Sequence, residues 1–267
     1  MRFTFLGRRS RGDTKVKTLI IKFQFDGTDF VGWQMQPGQR SLQGELTKAF
    51  ELKTGIEYKI IAAGRTDTGV HGISQIATIK IDDFRIPEEK IVPAINTVLP
   101  NDIQLLDAQI IDEDYNARFD AISREYNYYI TSDYSVFKRR YFAHYKEKLD
   151  INLMNEAALS IIGNHDFTTY SKVNNDLNHY GCKLEICQWL QINETDIKLH
   201  IKSNRFVYSM VRSLVGTMVD IGSGKLEIDY LKNSLLKKDR SLCSTIAPAN
   251  GLFFEKAYFN SEYRILK

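Results

Sequence analysis

Apolar residues recur along the chain at two spacings, every second position and every third to fourth, and their alternation lays out the elements. Residues 19–25, Leu-Ile-Ile-Lys-Phe-Gln-Phe, end in apolar–polar alternation and read as a strand, so the ordered fold is expected to begin near Thr18. Asp26-Gly27-Thr28 breaks that strand. Beyond a loop rich in Gly, Gln and Pro, Ser41 has the chemistry of a helix N-cap. Leu42, Leu46, Ala49 and Phe50 follow at helical spacing, and Gly55 supplies the stop. Strands are expected over 58–63 and 74–81 with a loop at 64–72 between them, then a helix from Pro87 and a strand over Ile103–Ile111.

The second half has the same style without a detectable sequence repeat or a flexible linker. Ala121–Thr131 alternates as a strand with aromatic positions. Asp150 caps a predicted helix striped by Leu153, Met154, Ala157, Ala158 and Ile161, with Gly163 as its stop. Strands are expected at 185–193 and 197–203. A strongly apolar helix face follows over 206–221, built on Val207, Met210, Val211, Leu214, Val215 and Met218, with Gly222-Ser223-Gly224 ending it. A shorter helix at 228–237 and a strand over Leu252–Phe259 complete the pattern. Helices interspersed with neighbouring strands predict an α+β fold, helices covering an antiparallel or mixed sheet.

Composition narrows the class. The chain has 267 residues with 43% hydrophobic and 26% charged, and 16 Gly and 5 Pro are too few for collagen-like or disordered character. No apolar run approaches the roughly 18 residues of a membrane span, so a soluble globular protein is expected. Three cysteines, Cys182, Cys187 and Cys243, are an odd number without a C-x-x-C pair, which suits a reducing, cytoplasmic compartment. Five scattered His residues offer no zinc-ligand spacing, so no metal is expected. The net charge is +3, yet the first 18 residues hold six Arg and Lys against Asp13 alone. Residues 1–17 are therefore expected to be a basic, flexible arm on a nearly neutral body.

Candidate chemistry concentrates in Gly64-Arg65-Thr66-Asp67-Thr68-Gly69-Val70-His71-Gly72. Three glycines frame one carboxylate, with a guanidinium two residues earlier. Such a loop lets the backbone turn sharply and a ligand come close, and a carboxylate fixed there can serve as nucleophile, general base or metal ligand. Spacing alone slightly favours a hairpin turn whose Asp bonds its own backbone. Asp67-Thr68-Gly69 matches the aspartic-protease triplet, but that chemistry needs two such carboxylates and the chain has one. Gly222-Ser223-Gly224-Lys225 fails as a phosphate loop, since Val219 stands where its first Gly belongs and Leu226 where Ser or Thr belongs.

Over residues 18–260 the chain resembles the tRNA pseudouridine synthases of the TruA family. The loop matches that family's G-R-T-D-x-G-V-H-A, with Gly72 in place of Ala. Residues 25–36 match Y-D-G-T-x-Y-x-G-W-Q-x-Q, with Phe25 and Phe30 for the tyrosines. Further matches lie at 95–100, at 116–128 with Asn116 for His, at 163–167, at 206–217 with Ser209 where His is usual, and at 239–240 with 247–252. So many motifs in one order are specific.

The resemblance implies two similar halves, 18–118 carrying the Asp67 loop and 119–267 carrying the Met210-Val211-Arg212 helix and the 247–252 segment, with a central cleft. It implies isomerisation of uridine to pseudouridine in the anticodon stem-loop of tRNA, at positions 38–40, without a cofactor, by a homodimer. Asp67 would be the essential carboxylate, attacking C1′ or C6 or removing the C2′ proton. Arg212 would keep it ionised, Tyr126 would stack on the uracil, Arg65 would fill the space of the flipped base, and Leu252 would wall the base pocket. The N-terminal arm, Arg40 and Lys138-Arg139-Arg140 are candidate RNA contacts, and a basic cleft is expected. A tRNA-binding protein that aids folding without catalysis is the alternative, although binding alone has no use for Asp67, Arg212 and Tyr126 together.

Overall fold

The computed structural model describes residues 16–82, 84–172 and 179–267. Among the described residues, ten strands are interspersed with five helices. The first half contains β1 (Lys17–Phe25), α1 (Leu42–Thr54), β2 (Ile60–Ala62), β3 (His71–Ile81), α2 (Glu88–Asn96) and β4 (Ile103–Ile111). β5 (Ala121–Thr131), β6 (Ala143–His144), α3 (Ile151–Leu159), β7 (Gly163–Asp166), β8 (Gly181–Gln191) and β9 (Asp196–Ser203) follow. α4 (Met210–Gly222), α5 (Tyr230–Lys237) and β10 (Leu252–Phe259) complete the order. The result is the expected α+β architecture on a mixed sheet.

All ten strands join one sheet, whose main path runs β4-β1-β3-β10-β5-β9-β8-β7, with β2 added to β3 and β6 to β5. The last strand thus sits in the middle and sews the halves together. It pairs antiparallel with β5 along its length, but parallel with β3 only through Phe253–His71 and Phe254–Gly72. A seam with so short a ladder leaves room for loops to gather on either side of it.

Buried apolar residues form two clusters, and the second also takes in Ile20, Ala63, Val70 and Ile76 from the N-terminal part of the chain. In the first, Phe23, Phe30, Leu42, Leu46, Phe50, Ile91 and Ile95 pack α1 and α2 on the sheet. In the second, Tyr128, Trp189, Leu199, Leu214 and Met218 pack around α4. That helix is buried on every side except at Arg212 and Asp220, the pattern of a helix enclosed by protein. An arginine left at the end of such a helix needs a polar neighbour.

Local chemistry explains most boundaries. Ser41 does cap α1, accepting from the Gly44 N–H, and Gly55 closes it with φ 75°. Several expectations shift: β2 keeps only Ile60–Ala62 of the expected 58–63, β3 starts at His71 inside the expected loop, and β8 runs over Gly181–Gln191 rather than 185–193. Gly163 does not stop α3, which ends at Leu159 with Ser160 as its cap; Gly163, at φ 111°, opens β7. Val207 precedes α4 rather than lying in it, because Ser209 adopts a left-handed φ of 60° and the helix begins only at Met210. Of the basic arm, residues 1–15 lie outside the described residues, and Lys17 already belongs to β1.

Candidate active site

The loop from Gly64 to Val70 crosses from β2 to β3, and its backbone is fixed by the loop between β1 and α1. Trp33 N–H donates to Thr66 O at 3.0 Å, Gly69 N–H to Phe30 O at 3.3 Å, and the Thr68 hydroxyl to Val31 O at 2.9 Å. Gly32 forms a bridge with Asp67, and a Cβ on it would stand 2.5 Å from Thr66 O, so the two loops approach as closely as backbone permits. Gly27 is still tighter, since its Cβ would fall 1.8 Å from Val70 O. Residues 26–36 therefore form the bracket that holds the Asp67 loop, a role that spacing alone does not reveal. Two departures from the family pattern also meet: Phe25 pairs with Gly72, and the Phe25 ring lies 2.4 Å from where a Gly72 Cβ would be.

With the backbone held, the Asp67 carboxylate faces across the seam to α4. It does not bond its own backbone. Asp67 Oδ2 accepts from the Ser209 hydroxyl at 3.0 Å and lies 3.5 Å from Arg212 Nη1. Arg212 is anchored independently, its Nε donating to Ala247 O at 2.8 Å. The 245–247 strand of backbone can lie on α4 only because Gly216 has no side chain; a Cβ there would fall 1.7 Å from Thr245 O.

Tyr126, at the centre of β5, stands edge-on to Phe206 and Phe254 at 5.1 and 5.2 Å, and Gly64 leaves its hydroxyl room. Burial pushes its phenol well above the usual range, with nearby Asp67 adding to the shift, so the ring is held neutral. Tyr128, two residues on, donates instead to Pro248 O at 2.7 Å, which fixes the turn that delivers Leu252 to the start of β10. Arg65 is exposed at the mouth.

Asp67, Arg65, Tyr126, Arg212 and Leu252 line one cavity of about 940 Å³, the upper end of what small-molecule sites occupy. The structure thus brings all five sequence candidates together. It adds a rim that sequence reading did not single out: Arg118, Arg124, Arg205 and Lys172, so that six cations and one carboxylate line the space. Arg124 is spent on structure, its guanidinium donating to carbonyls of Ala63, Ala121 and Asn204. Among the described residues, no carboxylate pairs with Arg65, Arg118 or Arg205. Burial, and then the charges of Arg65 and Arg205, lower the Arg118 pKa, so these guanidinium groups repel one another in the free protein. Exposed Phe119 and Ile122 stand beside them. A partial signal was available in the sequence: Arg-Phe occurs three times, at 2–3, 118–119 and 205–206, and the last two pairs face this cavity.

Two other candidates are differently employed. Arg40 forms a bidentate pair with Asp102 at 2.7 and 2.8 Å and lies 4.1 Å over the Phe30 ring. Lys138 donates to both Asp196 oxygens at 2.8 Å. Arg139 and Arg140 remain exposed. No helix among the described residues is long and apolar enough to cross a membrane.

Residues 21–120 and 157–260 match a family model described as tRNA pseudouridine synthase. The chain is similar to a protein of Bacillus pumilus named tRNA pseudouridine synthase A, at 35% identity, covering 92% of this chain and 100% of that one. Proteins of the same name from Bacillus subtilis (35%, covering 91% and 99%) and Fervidobacterium nodosum (37%, covering 91% and 100%) are similar over the same extent. A chain from the crystal structure of a Cbf5-Nop10-Gar1 complex overlays with a TM-score of 0.32 at 12% identity, over 75% of this chain and 54% of that chain, and nothing rests on that likeness.

Proposed function

From the premise that the chain belongs to the tRNA pseudouridine synthase family, we propose that it converts uridine to pseudouridine in the tRNA anticodon stem-loop, at positions 38–40, with Asp67 as the essential carboxylate. That the enzyme is an isomerase acting on tRNA follows from its family; the target positions and the residue roles are our reading. The observation that carries it is the Asp67 carboxylate, hydrogen-bonded by Ser209 and facing Arg212, at the floor of a cavity whose rim arginines Arg65, Arg118 and Arg205 have no carboxylate partner among the described residues.

The reaction breaks the N1–C1′ bond, turns the uracil, forms a C5–C1′ bond and releases the C5 proton. The Asp67 carboxylate is flanked by a cation and a hydrogen-bond donor, Arg212 and Ser209, both set on Oδ2. Whether Asp67 attacks C1′ or C6 or takes the C2′ proton, it does so with Oδ1, which has no hydrogen-bond partner among the described residues. Tyr126, held neutral by burial, offers its ring to the base and its hydroxyl as a donor or relay rather than as a phenolate base. Leu252 closes the apolar side. Arg65, exposed beside the vacated stack, replaces the extruded base, whose removal costs a few kcal/mol.

The rim arginines take the flanking phosphates, giving recognition by shape and charge. In this reading residues 18–118 and 119–267 act as two halves about the cleft, and a cytoplasmic homodimer lays tRNA across both subunits. Tritium release from tRNA labelled at uridine C5 tests the assignment. Transcripts with uridine at 38–40 should release tritium, and transcripts lacking uridine only there should not. Release from the second set alone would overturn the site assignment, and binding without release from any tRNA would favour the folding-chaperone alternative.

A further inference from the structure

Ser209 occupies a position whose geometry an ordinary helix cap does not need. It is one of two non-glycine residues with positive φ among the described residues; the other, Lys238, ends α5, where a left-handed residue is common. At a helix start the usual conformation is extended, and a Ser there normally accepts a hydrogen bond from the second or third helical N–H. Ser209 does neither. Its φ is 60°, its side chain makes no capping bond, and its carbonyl alone begins the helix ladder by accepting from Ser213 N–H at 3.0 Å. The hydroxyl is turned instead across the seam to Asp67 Oδ2, 142 residues away in the chain, and the residue is only 8% exposed.

This hydrogen bond is also the closer of the two approaches to Oδ2 across the seam. Arg212 reaches the same oxygen at 3.5 Å while its Nε is committed to Ala247 O. A guanidinium so anchored supplies charge, whereas the hydroxyl at 3.0 Å supplies direction. We propose that Ser209 is a positioning residue for the reaction, its hydroxyl holding Asp67 Oδ2 so that Oδ1 is presented to the substrate. The inference rests on the reading of Asp67 as the reacting carboxylate. The left-handed backbone is what aims the hydroxyl: with an extended cap the oxygen would turn back to the helix, and Asp67 would keep only the longer arginine approach. A carboxylate free to rotate visits unproductive geometries, and a small misplacement of a reacting group is costly in rate.

Three variants separate the hydroxyl from the backbone. Ser209→Ala removes the hydroxyl and keeps the strain. Ser209→Gly removes the hydroxyl and accepts positive φ freely. Ser209→Asn tolerates the left-handed region and carries an amide donor. In steady-state tritium release, kcat should fall about tenfold for both Ala and Gly, with KM and tRNA affinity within about twofold of wild type, as expected when orientation rather than binding is impaired. Ser209→Asn should recover most of kcat. Wild-type turnover by Ser209→Gly, a deficit confined to KM, or a loss that Ser209→Asn leaves untouched would overturn the proposal. Asp67→Asn is measured alongside: wild-type turnover by that variant would overturn the reading of Asp67, whereas an inactive Asp67→Asn beside a fully active Ser209→Gly would remove Ser209 alone.

Discussion

The floor and the rim of the cleft are built on opposite plans. On the floor the groups are held from several sides: the Asp67 loop is clamped by backbone bonds from residues 30–33, and Arg212 is tied to Ala247 O before it faces Asp67. On the rim, Arg65, Arg118 and Arg205 face a common space with no carboxylate partner among the described residues, and apolar Phe119 is 76% exposed beside them. Fixed geometry suits chemistry, which depends on sub-ångström placement; uncompensated charge suits binding of a polyanion, which supplies the missing partners itself. On the proposed function, turnover belongs to the floor and affinity to the rim.

The largest expected departure comes from the floor. Arg212→Met removes the cation facing Asp67 and should lower kcat about 100-fold, with tRNA affinity changing far less, measured by tritium release and filter binding. An equal loss in binding would blur the division. On the rim, Arg118→Gln with Arg205→Gln should weaken tRNA binding while sparing kcat at saturation. The slope of log affinity against log salt should become shallower by about 0.7–0.9 for each phosphate that the variant no longer neutralises. Lys138→Gln makes the control. Its ammonium is already paired with Asp196, so the salt slope should stay as in wild type.

Smaller effects test the supports. Gly72→Ala should destabilise by about 1–3 kcal/mol in denaturant unfolding, because the new methyl meets the buried Phe25 ring. Asp196 gives a pH test. Burial pushes its carboxyl up, and Lys138, Thr131 and Asn193 more than reverse this, holding it at about 2. A folded pKa below the unfolded value of about 3.9 stabilises fully above that value, and the contribution disappears as pH falls toward 2. Wild type should therefore lose more stability than Asp196→Asn between pH 4 and 2, followed by thermal melts.

The same division marks what the sequence makes legible. Strands such as Ile103–Ile111, Ala121–Thr131 and Leu252–Phe259 carry their bounds in their alternation, and the floor residues stand in dense motifs. What periodicity does not encode is conformation at single residues and pairing at long range. Gly163 looks like a helix stop until β8 claims it as the start of a strand, and the left-handed turn at Ser209 has no signature in Tyr208-Ser209-Met210. Arg40 and Lys138 read as free charge because Asp102 and Asp196, their partners, lie 62 and 58 residues away. The rim is the reverse case: its arginines are scattered over 140 residues of sequence and become one surface only when β10 closes the sheet.

Single-turnover tritium release by Asp67→Asn at saturating tRNA, with affinity measured on the same preparation, tests this division most directly. Affinity should stay within about twofold of wild type and release should slow by at least about 10³-fold, since the rim is untouched and the carboxylate proposed to react is gone. Release at the wild-type rate, or a loss of affinity as large as the loss of rate, would contradict it.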